Sequence, residues 1–572
     1  MLRYLPKWMR NWRIVRRCLY GLGGFVFLIF LFYAEEDWRG RRDWEQYKRA
    51  WEAKGERFDF ASYVPPAVPD DQNFALTPIV ASTYSEYLDR QGHRIDPPNT
   101  NVVNRLDFRL DSPPEWKPWP TNDFQGNWQF GMKADLKVFQ AYYRTPVNTN
   151  PTPYFMHDVR YWSGTSWVMK ATNDFPTALQ PQSPAADVLL ALSKYDAAIE
   201  ELRQAARLPH SRFPINYEER PFGQTNLFPA LSSLKRCTLV LRLRAIAELE
   251  NAQNGRSLED VKLIFYLANS IRDEPSLTSH LTRLSIINSA LQPLWEGLHD
   301  HKWSDAQLAV IQQELSPFDF LSDYQFAIRC DRTTDIQFVE YMDRRRGLHQ
   351  VFAALFSSYD EFSNETPLGR GTAEALWYLA PRGWFYQNDI FISQIFQQSL
   401  PTDAEVGRQI RPREIADRAD GAVSSNFEHI SPYNYLSGMS SKAFSLWIQK
   451  FAFAQSSLDM ARVACALERF RLTHGEYPET LDPLSPQFID KLPYDIIDGQ
   501  PLHYRRTDDA QFLLYSVGWN GTDEGGITVR SEYLWDRFRD LDKGDWVWPC
   551  RPIPAQSSPN RWPIKVHRQS SQ

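Results

Sequence analysis

Five cysteines serve 572 residues, and no CxxC or tight cluster is among them, so the sequence implies neither a zinc site nor a disulfide framework. Cys18 sits in an apolar run; Cys237, Cys330, Cys465 and Cys550 leave room for two disulfides with the pairing open. No GxxxxGK[ST], GxGxxG or HExxH occurs, which removes the usual phosphate-cradling, dinucleotide and zinc-protease signatures. Excess positive charge is missing too. The formal net charge is −6, and Arg3, Lys7, Arg10, Arg13, Arg16 and Arg17 carry +6, leaving −12 for the remainder. A mildly acidic body gives no electrostatic reason to bind nucleic acid. No fixed internal period is found, so a tandem-repeat solenoid is not supported.

Charge is absent altogether from Cys18–Ala34 (CLYGLGGFVFLIFLFYA), and this absence organises the chain. A membrane-spanning helix needs roughly 17 to 25 apolar residues, and this run sits at the short end. The six cations precede it without an acid; Glu35, Glu36 and Asp37 follow it. Because Lys and Arg resist translocation, the N-terminus is expected in the cytoplasm and the bulk outside, with Trp8, Trp12 and Tyr33 as interfacial anchors. Cleavage after Ala34 would put Phe32 where a small residue is required, so an uncleaved signal-anchor is favoured over a signal peptide. The expected location is the inner (cytoplasmic) membrane, single-pass, with the lipid bilayer contacted through Cys18–Ala34.

The 20 Trp, 26 Tyr and 35 Phe mark a packed body rather than a disordered stalk. Segments follow from pattern: 1–17 a basic cytoplasmic stretch, 18–34 the anchor, 35–82 a juxtamembrane helix and Pro-rich linker. In Asp43–Phe58, Trp44, Tyr47 and Trp51 share one helical face, and Gly55 is a stop signal. Pro65, Pro66 and Pro69 predict an extended linker. Residues 83–184 read as a loop/β-rich subdomain, with Val102–Leu110 and Val159–Met169 as strand candidates. Its Trp116, Trp119 and Trp128 suit either a glycan or peptide stacking platform or a loop-rich core, and the core is favoured.

From 185 to 440 the period turns helical: Val188–Arg203, Leu231–Leu249, Leu258–Ile271, Leu277–Leu298 ended early or kinked at Pro293, and Ser304–Leu315 with Ser304 as N-cap. Phe338–Phe356 and Ala373–Gln398 continue it. The expected architecture is mainly α, an irregular antiparallel helical array carrying a small α+β C-terminal module over 441–552, with 553–572 a disordered tail.

That module opens with a long helix, Phe444–Thr473. Gly475, Tyr477, Pro478 and Leu481 follow, then Leu492, Pro493, Asp495, Gly499, Pro501 and Tyr504, then Tyr515, Ser516, Gly518, Asn520, Gly521, Asp523, Gly525 and Gly526. This resembles the soluble part of the major, G-type pseudopilins of type II secretion. Ile496 stands where that family has Pro, and the only anchor lies far upstream, so the chain is not an ordinary pilin subunit. The whole architecture also resembles uncharacterised single-anchor bacterial envelope proteins. The resemblance implies packing with partner proteins and a calcium ion in the C-terminal loop, with Asp495, Asp498, Asn520 and Asp523 as its donors; simple Asn-Gly and Asp-Gly turns account for the same residues and are favoured.

Other constellations are weak. His299-Asp300-His301 lacks a third metal ligand. His474 and Glu476 are explained by the turn, and Ser163–Ser166 and Ser437–Ser441 lack the frame of a nucleophile elbow. The sequence therefore predicts a membrane-anchored, non-enzymatic scaffold or interaction component of the envelope, linked to secretion or envelope assembly and holding a protein partner. An envelope hydrolase acting on glycan or peptide is the alternative, since two hidden carboxylates would suffice for glycan cleavage.

Overall fold

A computed structural model describes residues 12–84, 87–88, 94–95, 104–108, 124–144, 160–162, 167–169, 175–217, 227–344, 380–402, 411–428, 431–439, 443–531 and 539–550. The chain is mainly helical, with small sheets and one long apolar N-terminal helix able to span a membrane. That helix, α1 (Trp12–Glu52), is unbroken. The anchor and the juxtamembrane helix, expected as separate elements, are one rod, because no Pro interrupts Glu35–Asp43 and the junction is packed against the body. Gly55, at φ 91°, lies just beyond its end.

The stretch expected as an extended linker is instead packed. Short turns at Phe60–Tyr63, Asp70–Gln72 and Phe74–Leu76 lead to α2 (Pro78–Ala81), and Phe60, Phe74, Ile79 and Val80 are buried. Asn73 holds this strap down: its Nδ2 donates to the Arg212 carbonyl at 2.8 Å and its Oδ1 accepts from the Arg212 amide at 2.9 Å. Between 83 and 184 the two small antiparallel ladders are Tyr87–Leu88 (β1) with Arg94–Ile95 (β2), and Arg160–Trp162 (β3) with Trp167–Met169 (β4). The second falls within the expected Val159–Met169. Residues 104–108 form no strand, and α3 (Leu136–Arg144) was not foreseen.

The helical array follows: α4 (Pro184–Leu192), α5 (Asp196–Ala205), α6 (Leu227–Glu250), α7 (Asn254–Asn269), α8 (Leu277–His299), α9 (Asp305–Leu315) and α10 (Phe320–Arg344). A 3₁₀ turn at Ser193–Tyr195 divides the single helix expected over Val188–Arg203. Pro293 does not end α8, since burial of both flanking turns outweighs the lost backbone bond. At α9 the Ser304 cap is present as a full capping box with Gln307. After residues outside the described set come α11 (Arg382–Gln398), α12 (Pro412–Glu428) and α13 (Tyr435–Met439).

The last helix, α14 (Phe444–His474), matches the expected span within a residue and ends at Gly475, φ 87°. Beyond it β5 (His503–Arg506), β6 (Phe512–Ser516) and β9 (Trp546–Trp548) form an antiparallel sheet in the order β5-β6-β9, and β7 (Thr528–Arg530) pairs with β8 (Arg539–Gly544). One hydrophobic core runs from Phe60 to Trp548, and a satellite cluster joins Trp44, Phe58, Ile336 and Ile390.

Candidate functional site

The apolar rod enters the body along one helical stripe. Glu36, Gly40 and Trp44, spaced four apart, are buried, whereas Leu22, Phe25 and Leu28 below them are exposed. The stripe packs on α11 at a distance only glycines permit: a Cβ on Gly40 would stand 2.4 Å from the Gly383 carbonyl oxygen, and one on Gly383 would stand 2.0 Å from that of Glu36. Polar groups fix the register. The Gly383 amide donates to Asp37 Oδ1 at 2.9 Å, satisfying an N-terminus of α11 that its own N-cap, Pro381, leaves without a side-chain bond. Glu36 accepts from Trp384 Nε1 at 3.1 Å and from the Tyr433 hydroxyl at 3.2 Å; Asp43 accepts from Gln387 at 3.2 Å. Glu36 and Asp37, two of the three acids that follow the apolar run, are therefore docking groups, while Glu35 stays exposed beside Arg39.

Above this seat, Trp44, Tyr47 and Trp51 do share a face, with Trp44 stacked on Tyr47 and Phe58 edge-on to both, over α10 and α11. The rod's end is clamped by Glu56, which accepts from Arg332 at 2.8 Å and Arg329 at 3.0 Å. Burial pushes the Glu56 carboxyl up, but the two guanidinium groups prevail and hold it below its ordinary value.

Beside the seat a cavity of about 890 Å³ opens between α1, α11 and α12. Tyr47, Trp51 and Phe391 form its apolar walls, and Gln394, Gln398, Ser425 and Asn434 supply amides and hydroxyls, with Arg418 contributing a guanidinium. Among the described lining residues there is no carboxylate, imidazole or thiol. Such a lining recognises by shape and hydrogen bonds.

The four residues singled out from sequence as calcium donors each accept hydrogen bonds within the C-terminal module. Asp495 is 1 % exposed and its carboxylate is spent inside the module: Oδ1 accepts from Ser516 Oγ at 2.8 Å and the Ile497 amide at 3.0 Å, and Oδ2 from the Val517 amide at 2.8 Å. Asp498 accepts from the Gln500 amide, Asn520 from the Thr522 amide, and Asp523 from the Gly525 amide and the Tyr515 hydroxyl. Each is a local turn, and among the described residues no group of three or more His, Cys, Asp or Glu is placed to hold a metal.

Trp128 is core: buried, 5.3 Å from the Trp548 ring, its Nε1 donating to Asn288 at 3.0 Å. Trp116, Trp119 and Ser163–Ser166 lie outside the described residues, as do Ser440 and Ser441, while Ser437 is buried and donates to the Asn434 carbonyl. His299 pairs with Asp300, but His301 turns away to Glu468, 2.9 Å. Glu468 also takes Arg471 and the Tyr477 hydroxyl; burial would raise its pKa, and these donors bring it down to about 2. His474 stacks on Phe470 while Glu476 pairs with Arg506, so they form no acid–base pair. The cysteines form no disulfide with one another.

Sequence reasoning missed the Gly40–Gly383 contact. Its signal was the continuation of one four-residue spacing from Glu36 through Gly40 to Trp44. Comparison with protein-family models, with curated proteins and with solved structures finds no match.

Proposed function

We propose that this chain is a membrane-anchored envelope protein that works by holding a partner protein at the membrane surface rather than by turnover. The observation that carries this is the seat of α1: a helix that is apolar over Cys18–Ala34 continues without a break into a glycine-tight, polar-locked contact with α11. A substrate-processing domain needs no rigid mount, whereas a platform that presents a surface at fixed height does. The cavity beside the seat is the proposed partner site. The proposed setting is the inner membrane with the N-terminus cytoplasmic, on the charge asymmetry about the span.

The pseudopilin-like module takes a changed role in this proposal. Its long helix is covered by α8, α9, α10 and α12, so it stabilises the body instead of offering a bare face to neighbouring subunits. The hydrolase alternative loses one third of its Trp platform to the core through Trp128.

The test is site-directed photo-crosslinking in the native membrane from Gln398 and Ser425. A stoichiometric adduct at both sites, lost when Ala422→Arg fills the cavity, is the expected result. Catalytic turnover by the full-length protein, abolished by a single carboxylate substitution, would overturn the proposal.

A further inference from the structure

At 1.5 Å per residue, Cys18–Ala34 rises about 25 Å, against a hydrocarbon core about 30 Å thick. A span this short draws its flanks toward the lipid. Because α1 has no break, height can be counted along it. Trp38 stands about 6 Å beyond Ala34, within a headgroup layer about 5 to 8 Å deep, and Arg42 about 12 Å beyond it, its guanidinium folded over the Trp38 ring. The start of α11 is pinned to this level, since Gly383 abuts Glu36 and Asp37. Tyr433 is pinned there as well, through Glu36 and Arg39.

Near this layer Glu35 is exposed and pairs with Arg39, and the other charges are sorted. Glu36 and Asp37 turn inward to Trp384, Tyr433 and the Gly383 amide, and Asp43 reaches Gln387. Facing out are Trp38, 62 % exposed; Arg42, stacked 4.8 Å over the Trp38 ring and paired with Asp43; Arg41, exposed; and Arg382, whose side chain is 64 % exposed with Asp343 3.7 Å away. Guanidinium groups bind phosphate through paired N–H donors, and indoles favour the interface.

We propose that the body rests directly on the bilayer through a collar of Trp38, Arg41 and Arg42 from α1 and Arg382 from α11, and that this collar binds phospholipid headgroups. The guanidinium groups take the phosphates while the Trp38 indole lies toward the acyl boundary. The proposal rests on the anchoring reading above and adds to it the face of the body that meets lipid.

Two measurements on the full chain test it. In vesicles of phosphatidylethanolamine and phosphatidylglycerol, on a Cys18→Ser background, a fluorophore is placed at Pro432→Cys, Ala50→Cys or Leu28→Cys, leaving the collar intact. A headgroup-borne quencher is expected to quench position 432 severalfold more than position 50, which stands about 24 Å beyond Ala34. In detergent micelles, added phosphatidylglycerol is expected to raise the Tm of the parent protein and not that of the Arg41→Gln, Arg382→Gln double variant, with equal Tm for both before lipid is added. Equal quenching at 432 and 50, or the same lipid response in both proteins, overturns the collar. Failure of an acyl-chain quencher to reach position 28 would instead overturn the anchoring itself.

Discussion

At the scale of single residues, the groups that stand out are acids buried without a full complement of donors. Asp389 on α11 is 2 % exposed, and among the described residues its Oδ1 has no hydrogen-bond partner. It faces Lys48 of α1 and Glu340 and Asp343 of α10. Burial and the two acids drive its pKa well above the ordinary value, and Lys48 works weakly against them. Glu248, pushed to about 8 by burial and Asp260, and Glu296, pushed to about 7 by burial, act in the same direction. A raised folded pKa means the folded state binds more protons, so stability is full below the unfolded value near pH 4 and falls as pH rises. Each such group costs about 1.4 kcal/mol per pH unit until its folded pKa is passed. Asp389→Asn should therefore gain stability over the parent at pH 8 relative to the difference at pH 4. Urea denaturation at the two pH values reads this, and an unchanged difference would show that Asp389 is solvated.

Asp495 is the opposite case, an acid whose donors are complete. Asp495→Ala strips acceptors from Ser516, Val517 and Ile497 in a closed site, and should cost about 2 to 3 kcal/mol. Calcium and chelator should leave the melting temperature where it is, and a calcium-dependent rise would return the ion to the loop. The motif was legible in the sequence as a string of turn residues. That its oxygens were already consumed was not, because Val517 lies 22 positions away from the carboxylate it feeds.

Among elements, what was legible is what local chemistry decides. The Ser304 cap needs only Gln307 three residues on, and both bonds of the box are formed. Ser304→Ala should cost about 1 kcal/mol, read as a small loss of urea midpoint. What was not legible is what a distant element decides. Pro293 survives inside α8 because its surroundings are core, and residues 56–82 fold into turns because Phe74 and Ile79 find apolar partners across the chain. The rod of α1 depends most on distance, its docking partner being more than 300 residues onward. A methyl group at Gly383 has no room against the Glu36 backbone, so Gly383→Ala should cost about 1 to 3 kcal/mol through overpacking. It should also expose the chain near Glu52 to protease while the apolar segment stays in the membrane. Unchanged protease resistance would mean that α1 and α11 do not need their close contact.

For the molecule as a whole, the sequence suggested a distinct C-terminal module over 441–552, and the packing argues that it cannot be detached. Phe444, Ile448, Phe451, Leu458, Met460, Val463 and Leu467 of α14 are all buried in the core shared with α8, α9 and α10. Cross-links in both directions reinforce this: Trp295 Nε1 donates to the Pro549 carbonyl at 2.6 Å, Arg539 to the Gln129 carbonyl at 2.8 Å, and Gln312 to the Arg462 carbonyl at 3.0 Å. Exposing a large apolar side chain costs roughly 1.5 to 3 kcal/mol. The partners these seven cover are exposed as well, so removal exceeds the roughly 5 to 15 kcal/mol that holds a domain folded. A chain ending at residue 440 should thus lose cooperative melting, and 441–572 alone should not acquire it. The intact protein should unfold in one transition reported equally by α6–α8 and by the C-terminal sheet. Calorimetry of the three chains in the same detergent decides the matter: a cooperative melt from either fragment would restore the module as an independent unit, and would make it a legitimate target for deletion in the search for the partner.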